Sequence, residues 1–201
     1  MISESAIWSG HRVGILGGTF DPPHLGHTRM AEAARETLAL DRVVFSAAAN
    51  PPHKRSGAAT PYAHRAAMLD LAVAGVDGAA VTQVEESHDP SFTVDLLRAC
   101  RARTAADLYF IIGADSLLEF ATWKDPEEIL QLCTLVVFPR GNAAMALPVG
   151  GDASIVVFEQ PVIDVSSTEI RRLAARGGLP GGVVAPAVAS YITRHGLYAG
   201  A

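Results

Sequence analysis

Six short apolar, β-rich runs alternate with amphipathic stretches along most of this chain, and no other feature limits its fold as strongly. The runs fall at 12–16, 42–46, 79–84, 108–112, 134–138 and 154–158, and helical patterns cover 27–38, 62–73, 93–103 and 127–132 between them. Strands separated by helix-length connections imply βαβ units, hence a Rossmann-like α/β fold with a parallel sheet and helices on both faces. Ligands of such sheets sit beyond the carboxyl ends of the strands. Two more helical patterns, at 167–175 and 187–195, have no strand between them and are separated by Gly177-Gly178 and Gly181-Gly182. They predict a small C-terminal helical lobe. The chain, 1–201, reads as one domain, with an α/β core over about 12–160 and the lobe over about 161–198.

A hydrophobic fraction of 49% with 18% charged residues is that of a globular chain. The formal net charge of −5 gives no general attraction to nucleic acid or to an anionic membrane, so any anion site must be built locally. No apolar stretch reaches the roughly 18 residues of a membrane span before a charge, Gly or Pro interrupts it. The segment 1–11 carries Glu4 and builds no apolar centre, so no signal peptide is expected. Cys100 and Cys133 lack any CxxC spacing, which predicts two buried thiols in a reduced, cytoplasmic chain. The segment 141–151 is of low complexity and reads as a loop.

The chemistry concentrates in "GGTFDPPHLGH", residues 17–27, at the end of the first run. Gly17 and Gly18 suit a backbone that turns sharply or approaches a ligand closely. Pro22 and Pro23 precede a helix expected to begin near Leu25, whose unpaired N–H groups favour an anion. His24 and His27, three residues apart, can face one point and donate hydrogen bonds to phosphoryl oxygens. Two other readings stay open from these residues alone: a metal held by both histidines and Asp21, or a purely structural histidine.

This stretch resembles the signature of nucleotidyltransferases that carry an HxGH motif, matching at Gly17, Gly18, Thr19, Phe20, Asp21, Pro22, His24, Gly26 and His27. A second motif of that superfamily, Ser-Ser-Thr-x-x-Arg, matches "SSTEIR" at 166–171. Ser166 or Ser167 would cap a helix there, and Arg171 would supply a forked cation for phosphate.

Within the superfamily, the chain is similar to bacterial nicotinate-mononucleotide adenylyltransferases. "PPHK" at 51–54 matches one of their motifs, and Gly113 and Asp115 match a GxD pattern. Trp123 matches their ring-stacking aromatic, and "PSFTVDLLR" at 90–98 resembles their Ser-Tyr-Thr-x-x-Thr segment, with Phe92 and Leu96 replacing the Tyr and the second Thr. Lys124 stands where relatives commonly carry another aromatic.

The resemblance implies transfer of an adenylyl group from ATP to nicotinate mononucleotide, with Mg²⁺ accompanying ATP and no metal held by the protein itself. It implies catalytic roles for His24, His27, Lys54 and Arg171. It places ATP against Gly17, Gly18, Thr19, Phe20, His27, Gly113, Asp115, Ser166, Ser167, Thr168 and Arg171. It places the acceptor against Lys54, Thr93, Trp123 and Lys124, where an ammonium would favour nicotinate over nicotinamide. The competing readings are a pantetheine-phosphate adenylyltransferase, a nucleotide-binding module without turnover, and a metal-dependent hydrolase. Oligomeric state is not legible in the sequence.

Overall fold

The computed structural model describes residues 4–51, 59–86, 89–139, 155–159, 165–179 and 181–199. Among the described residues six parallel strands form one sheet: β1 (Arg12–Gly18), β2 (Arg42–Ala47), β3 (Ala79–Thr82), β4 (Asp107–Gly113), β5 (Thr134–Phe138) and β6 (Ile155–Val157). Their order is β3-β2-β1-β4-β5-β6, and each neighbouring pair is parallel. This is the doubly wound Rossmann order, which reverses direction between β1 and β4 and opens a crevice there. Around the sheet lie α1 (Glu4–Ile7), α2 (Leu25–Thr37), α3 (Tyr62–Val73), α4 (Thr93–Arg101), α5 (Ala114–Leu118), α6 (Pro126–Leu132), α7 (Ser167–Ala175) and α8 (Pro186–Arg194).

The period-2 alternation of the strands divides the core between the two faces. Val13, Ile15, Val44, Phe110, Ile112, Leu135 and Val137 pack with Val94 and Leu97 of α4 and Ile129 of α6. Leu16, Phe45, Ile111, Val136 and Phe138 pack on the other side with Ala31 and Ala34 of α2 and Leu69 of α3. Each large side chain buried this completely contributes about 1.5–3 kcal/mol of transfer free energy. A third cluster joins the tail to the sheet layers through α3: Met68 and Ala72 pack against Ile170, Val188 and Ile192.

The expected helices at 62–73 and 167–175 and the strand at 134–138 occur with those bounds. The strand expected over 79–84 stops at Thr82, and 84–86 form a turn. That turn carries the Glu85 side chain back to Ser46, so the apolar run ends in a loop rather than a longer strand. Three further pieces, α1, α5 and a 3₁₀ turn at Phe120–Thr122, are too short for hydrophobic periodicity to reveal. The stretch 141–151 and the motif residue Lys54 lie outside the described residues. Among the described residues no helix is long and apolar enough to cross a membrane.

Candidate active site

A cavity of about 490 Å³ opens at the carboxyl ends of β1, β4 and β5, where Gly17, Gly18, Gly113 and Phe138 line it. It lies over the reversal of strand order, the position the fold reserves for ligands. Gly17 is required by packing, since a Cβ there would meet the Phe110 ring at 3.1 Å. Gly113 differs: its Cβ would meet no protein atom within 4 Å and would project into the open space that residue lines.

His24 is the N-cap of α2, so both histidines sit where the first N–H groups of the helix point outward. Their rings stack with centroids 3.7 Å apart and planes at 23°. The His24 N–H donates to His27 Nδ1 at 3.1 Å, and the His27 N–H donates to the His24 carbonyl at 2.9 Å. An Nδ1 that accepts a backbone N–H is unprotonated, which leaves the proton of neutral His27 on Nε2 as a donor. Both imidazoles line the cavity. Phe20, expected at ATP, is buried instead, with its ring edge-on to His27 at 4.9 Å. Its φ of 49° is a conformation few bulky residues adopt, and burial of the ring against Phe45 and His27 holds it there.

The second motif meets the first through the backbone. Ser166 caps α7, accepting from the Glu169 N–H at 3.2 Å, while the Ser167 hydroxyl donates to the Pro22 carbonyl at 2.9 Å. Arg171 Nη1 donates to the Asp21 carbonyl at 2.7 Å, and its Nη2 to Thr168 Oγ1 at 3.2 Å. Ser166 and Ser167 line the cavity. Through its bond to the Asp21 carbonyl the Arg171 guanidinium holds the signature loop. The Leu25 N–H adds a bond to the Val183 carbonyl at 2.9 Å.

At the far end the cavity is lined by Thr93, Asp115, Trp123 and Lys124. Trp123 is braced by Phe120, ring centroids 5.5 Å apart, and by Phe110 at 6.4 Å. Lys124 Nζ is 2.8 Å from Asp95 Oδ2 and lies 4.9 Å over the ring of Phe92. The Phe that replaces the expected Tyr thus serves as a cation platform. The segment is pinned by Asn50, whose N–H donates to Ser91 Oγ at 3.1 Å and whose carbonyl accepts from the Ser91 N–H at 3.0 Å.

Asp21 of the signature shapes this region together with Tyr198, Glu85 and Arg65, which were not among the candidate site residues. Asp21 is buried, with Oδ2 accepting from the Thr60 N–H at 3.2 Å and Oδ1 from the Tyr198 hydroxyl at 2.8 Å. Burial alone would raise its pKa, but the bonds from Thr60 and Tyr198 and the charge of Arg171 outweigh it, and the carboxyl is held below its ordinary value. With both oxygens engaged, Asp21 is poorly placed to join the histidines on a metal. Among the described residues no cluster of three His, Cys, Asp or Glu could hold one. Glu85 lines the cavity floor and accepts from the Ser46 hydroxyl at 2.8 Å. Burial pushes its carboxyl up to about 7 against the opposing influence of Ser46 and Arg65. Arg65 itself is buried, and its signal was present in the sequence: it falls on the helical period of Met68, Leu69, Ala72 and Val73, the buried face of α3.

Comparisons with known proteins agree with this geometry. The cytidylyltransferase-like family model matches residues 15–173. The chain is 36% identical over 211 residues to a protein of Pelobacter propionicus named probable nicotinate-nucleotide adenylyltransferase, covering 93% of this chain and 98% of the relative. A protein of the same name from Thermomicrobium roseum is 41% identical over 196 residues, covering 93% and 91%. Among solved structures, the nicotinic acid mononucleotide adenylyltransferase of Plasmodium falciparum complexed with NaAD superposes with a TM-score of 0.77 at 17% identity, over 94% of this chain and 98% of that one. That likeness speaks for the fold.

Proposed function

Since the chain belongs to the cytidylyltransferase-like nucleotidyltransferases and, within them, to the nicotinate-nucleotide adenylyltransferase family, we infer that it transfers the adenylyl group of ATP to nicotinate mononucleotide. The products are nicotinate adenine dinucleotide and pyrophosphate, so the enzyme acts in NAD biosynthesis. One observation carries the reading at the level of chemistry: the stacked His24 and His27 flank the start of α2 at the strand-order reversal, in the same cavity as Trp123.

The acceptor phosphate attacks the α-phosphorus of ATP in line, and pyrophosphate leaves. The acceptor is already anionic near neutral pH, so positioning and electrostatic stabilisation carry the rate. Mg²⁺ brought in with ATP would supply neutralisation of the charge on the departing pyrophosphate. The His27 Nε2–H and the His24 imidazole donate to phosphoryl oxygens as charge builds there. The Gly26 N–H at the start of α2 and the Ser167 N–H at the start of α7 hold the phosphate chain. Gly113 leaves room for the nucleoside, and Asp115 accepts from ribose hydroxyls.

The nicotinate ring stacks on Trp123, with the Thr93 and Lys124 backbone N–H groups near its carboxylate. Lys54 meets a phosphate as a point charge, and Arg171 acts through the signature loop it holds. Buried free thiols at Cys100 and Cys133 agree with a cytoplasmic setting.

A pyrophosphate-release assay with Mg²⁺ and ATP tests the reading against nicotinate mononucleotide, nicotinamide mononucleotide and phosphopantetheine in parallel. Release with nicotinate mononucleotide is expected. Release with phosphopantetheine alone would overturn the acceptor assignment, and silence with all three would leave a nucleotide-binding module.

A further inference from the structure

One buried cation bonds the backbone beside the cavity without lining it. Arg65 of α3 is 1% exposed and directs its guanidinium at four backbone carbonyls. Nε donates to Thr60 at 2.7 Å, Nη1 to Thr19 at 2.8 Å and to Ala48 at 2.7 Å, and Nη2 to Ala49 at 3.0 Å. Thr19 lies in the signature loop after β1. Ala48, Ala49 and Asn50 follow β2 directly. Thr60 lies just before α3.

One planar group therefore ties the signature loop to the residues that follow β2 and to the residue that precedes α3. The Ala48 N–H adds a backbone bond at the strand ends, donating to the Gly18 carbonyl at 2.9 Å.

The charge makes this arrangement informative. A buried cation is expensive unless it is paired. Asp21 and Glu85 lie near enough to act on Arg65 electrostatically, yet their described hydrogen bonds go elsewhere, to Thr60 and Tyr198 and to Ser46. The guanidinium instead satisfies carbonyls that the loops leave without a strand partner. If α3 needed only to pack here, an apolar residue on the same face as Met68 and Leu69 would serve without the desolvation cost. What an apolar residue or a Lys lacks is the planar fork whose three nitrogens reach all four carbonyls at once.

We propose that Arg65 is a positioning residue for adenylyl transfer, fixing the signature loop against the ends of β2 and α3 and so the approach of the two substrates bound there. The proposal rests on the reaction assigned above. It predicts a defect concentrated in turnover, because an error of about an ångström in the approach of two phosphates costs roughly 10²-fold in rate.

The test uses Arg65→Lys and Arg65→Ala in the full chain, with thermal unfolding, steady-state kinetics for each substrate, and calorimetric titration of Mg²⁺–ATP. Expected is a roughly 10²-fold fall in kcat for the Lys variant, assayed well below its melting temperature, with smaller changes in both KM values. In the Ala variant, millimolar guanidinium ion should raise turnover about tenfold above an equal concentration of ammonium. Guanidinium should not activate the wild-type chain. Rescue of this kind reports filling of one donor position, which a general loss of stability would not produce.

Wild-type kcat in the Lys variant would overturn the proposal, as would a folded Ala variant that responds equally to the two ions. Should the Ala variant fail to fold, the kcat of the Lys variant decides alone. A wild-type chain that releases no pyrophosphate would sink the reaction assignment separately. In that event ATP affinity decides the role of Arg65: about tenfold weaker binding in the Lys variant sustains it, and equal binding overturns it.

Discussion

The Tyr198 hydroxyl donates to Asp21 Oδ1 at 2.8 Å across 177 positions of the chain. With Ser167 on the Pro22 carbonyl, Arg171 on the Asp21 carbonyl and Val183 receiving the Leu25 N–H, it makes the C-terminal segment a clamp on the signature loop. The tail thus does more than cover α3: it holds the backbone from which both histidines project.

Replacing Tyr198 by Phe should leave a buried carboxylate oxygen unpaired and cost about 1–3 kcal/mol of stability at neutral pH. The folded-state pKa of Asp21 is depressed, so its contribution is present above the unfolded value, 3.8, and is lost as pH falls through the lower folded value. The deficit of the variant should therefore narrow in acid below that range. Urea denaturation at pH 7 and at successively lower pH measures it, and equal stability at pH 7 would remove the clamp.

His27→Ala should lower kcat by about 10²–10³, the usual loss on removing one preorganised donor from a developing oxyanion. His27→Asn, which keeps a donor of shorter reach, should fall between. Circular dichroism should remain that of the wild type, and unchanged turnover would exclude the histidine from the reaction.

Glu85 should make stability fall as pH rises. Its folded-state pKa, about 7, lies above its ordinary value of 4.5, so between these pH values the folded chain holds a proton that the unfolded chain has released. The stabilisation is full below the lower value and is lost as pH passes the upper one, a change of up to roughly 3 kcal/mol. Glu85→Gln removes the ionisation, so the stability of the variant relative to wild type should increase from pH 4.5 to pH 8. Parallel stability curves for the two proteins would refute the titration of Glu85 in this window.

Lys124 should favour nicotinate over nicotinamide mononucleotide, but weakly. Its side chain is 40% exposed and already paired with Asp95, so solvent and the carboxylate both screen it. Lys124→Met should reduce the ratio of kcat/KM for the two substrates by roughly two- to fivefold, the scale of an exposed charge pair. An unchanged ratio would leave the choice to backbone N–H groups alone.

The elements legible in the sequence were those with several turns or alternations between breakers. Helices α3 and α7 and strand β5 needed only local periodicity. The short α5 and the 3₁₀ turn that brings Trp123 to the cavity have too few residues for any period to show. At the site, His24 and His27 were legible because their relation is an i, i+3 spacing on one helix. Arg171 was legible as a motif residue, yet its described contacts are with the Asp21 carbonyl and Thr168. Nothing local signals that Glu85 would fold back to Ser46, 39 residues earlier.

The sequence by itself determined the alternation of strands and helices, the parallel sheet and the glycine, histidine and serine groups at strand and helix ends. Backbone propensity, side-chain period and capping act within a few residues, and all of these features follow from them. The tertiary structure decided which strand ends meet, which carbonyls Arg65 joins and which oxygen of Asp21 receives Tyr198. Those contacts join residues far apart in the chain, and their energies exist only once the sheet and helices have packed and excluded water from between them.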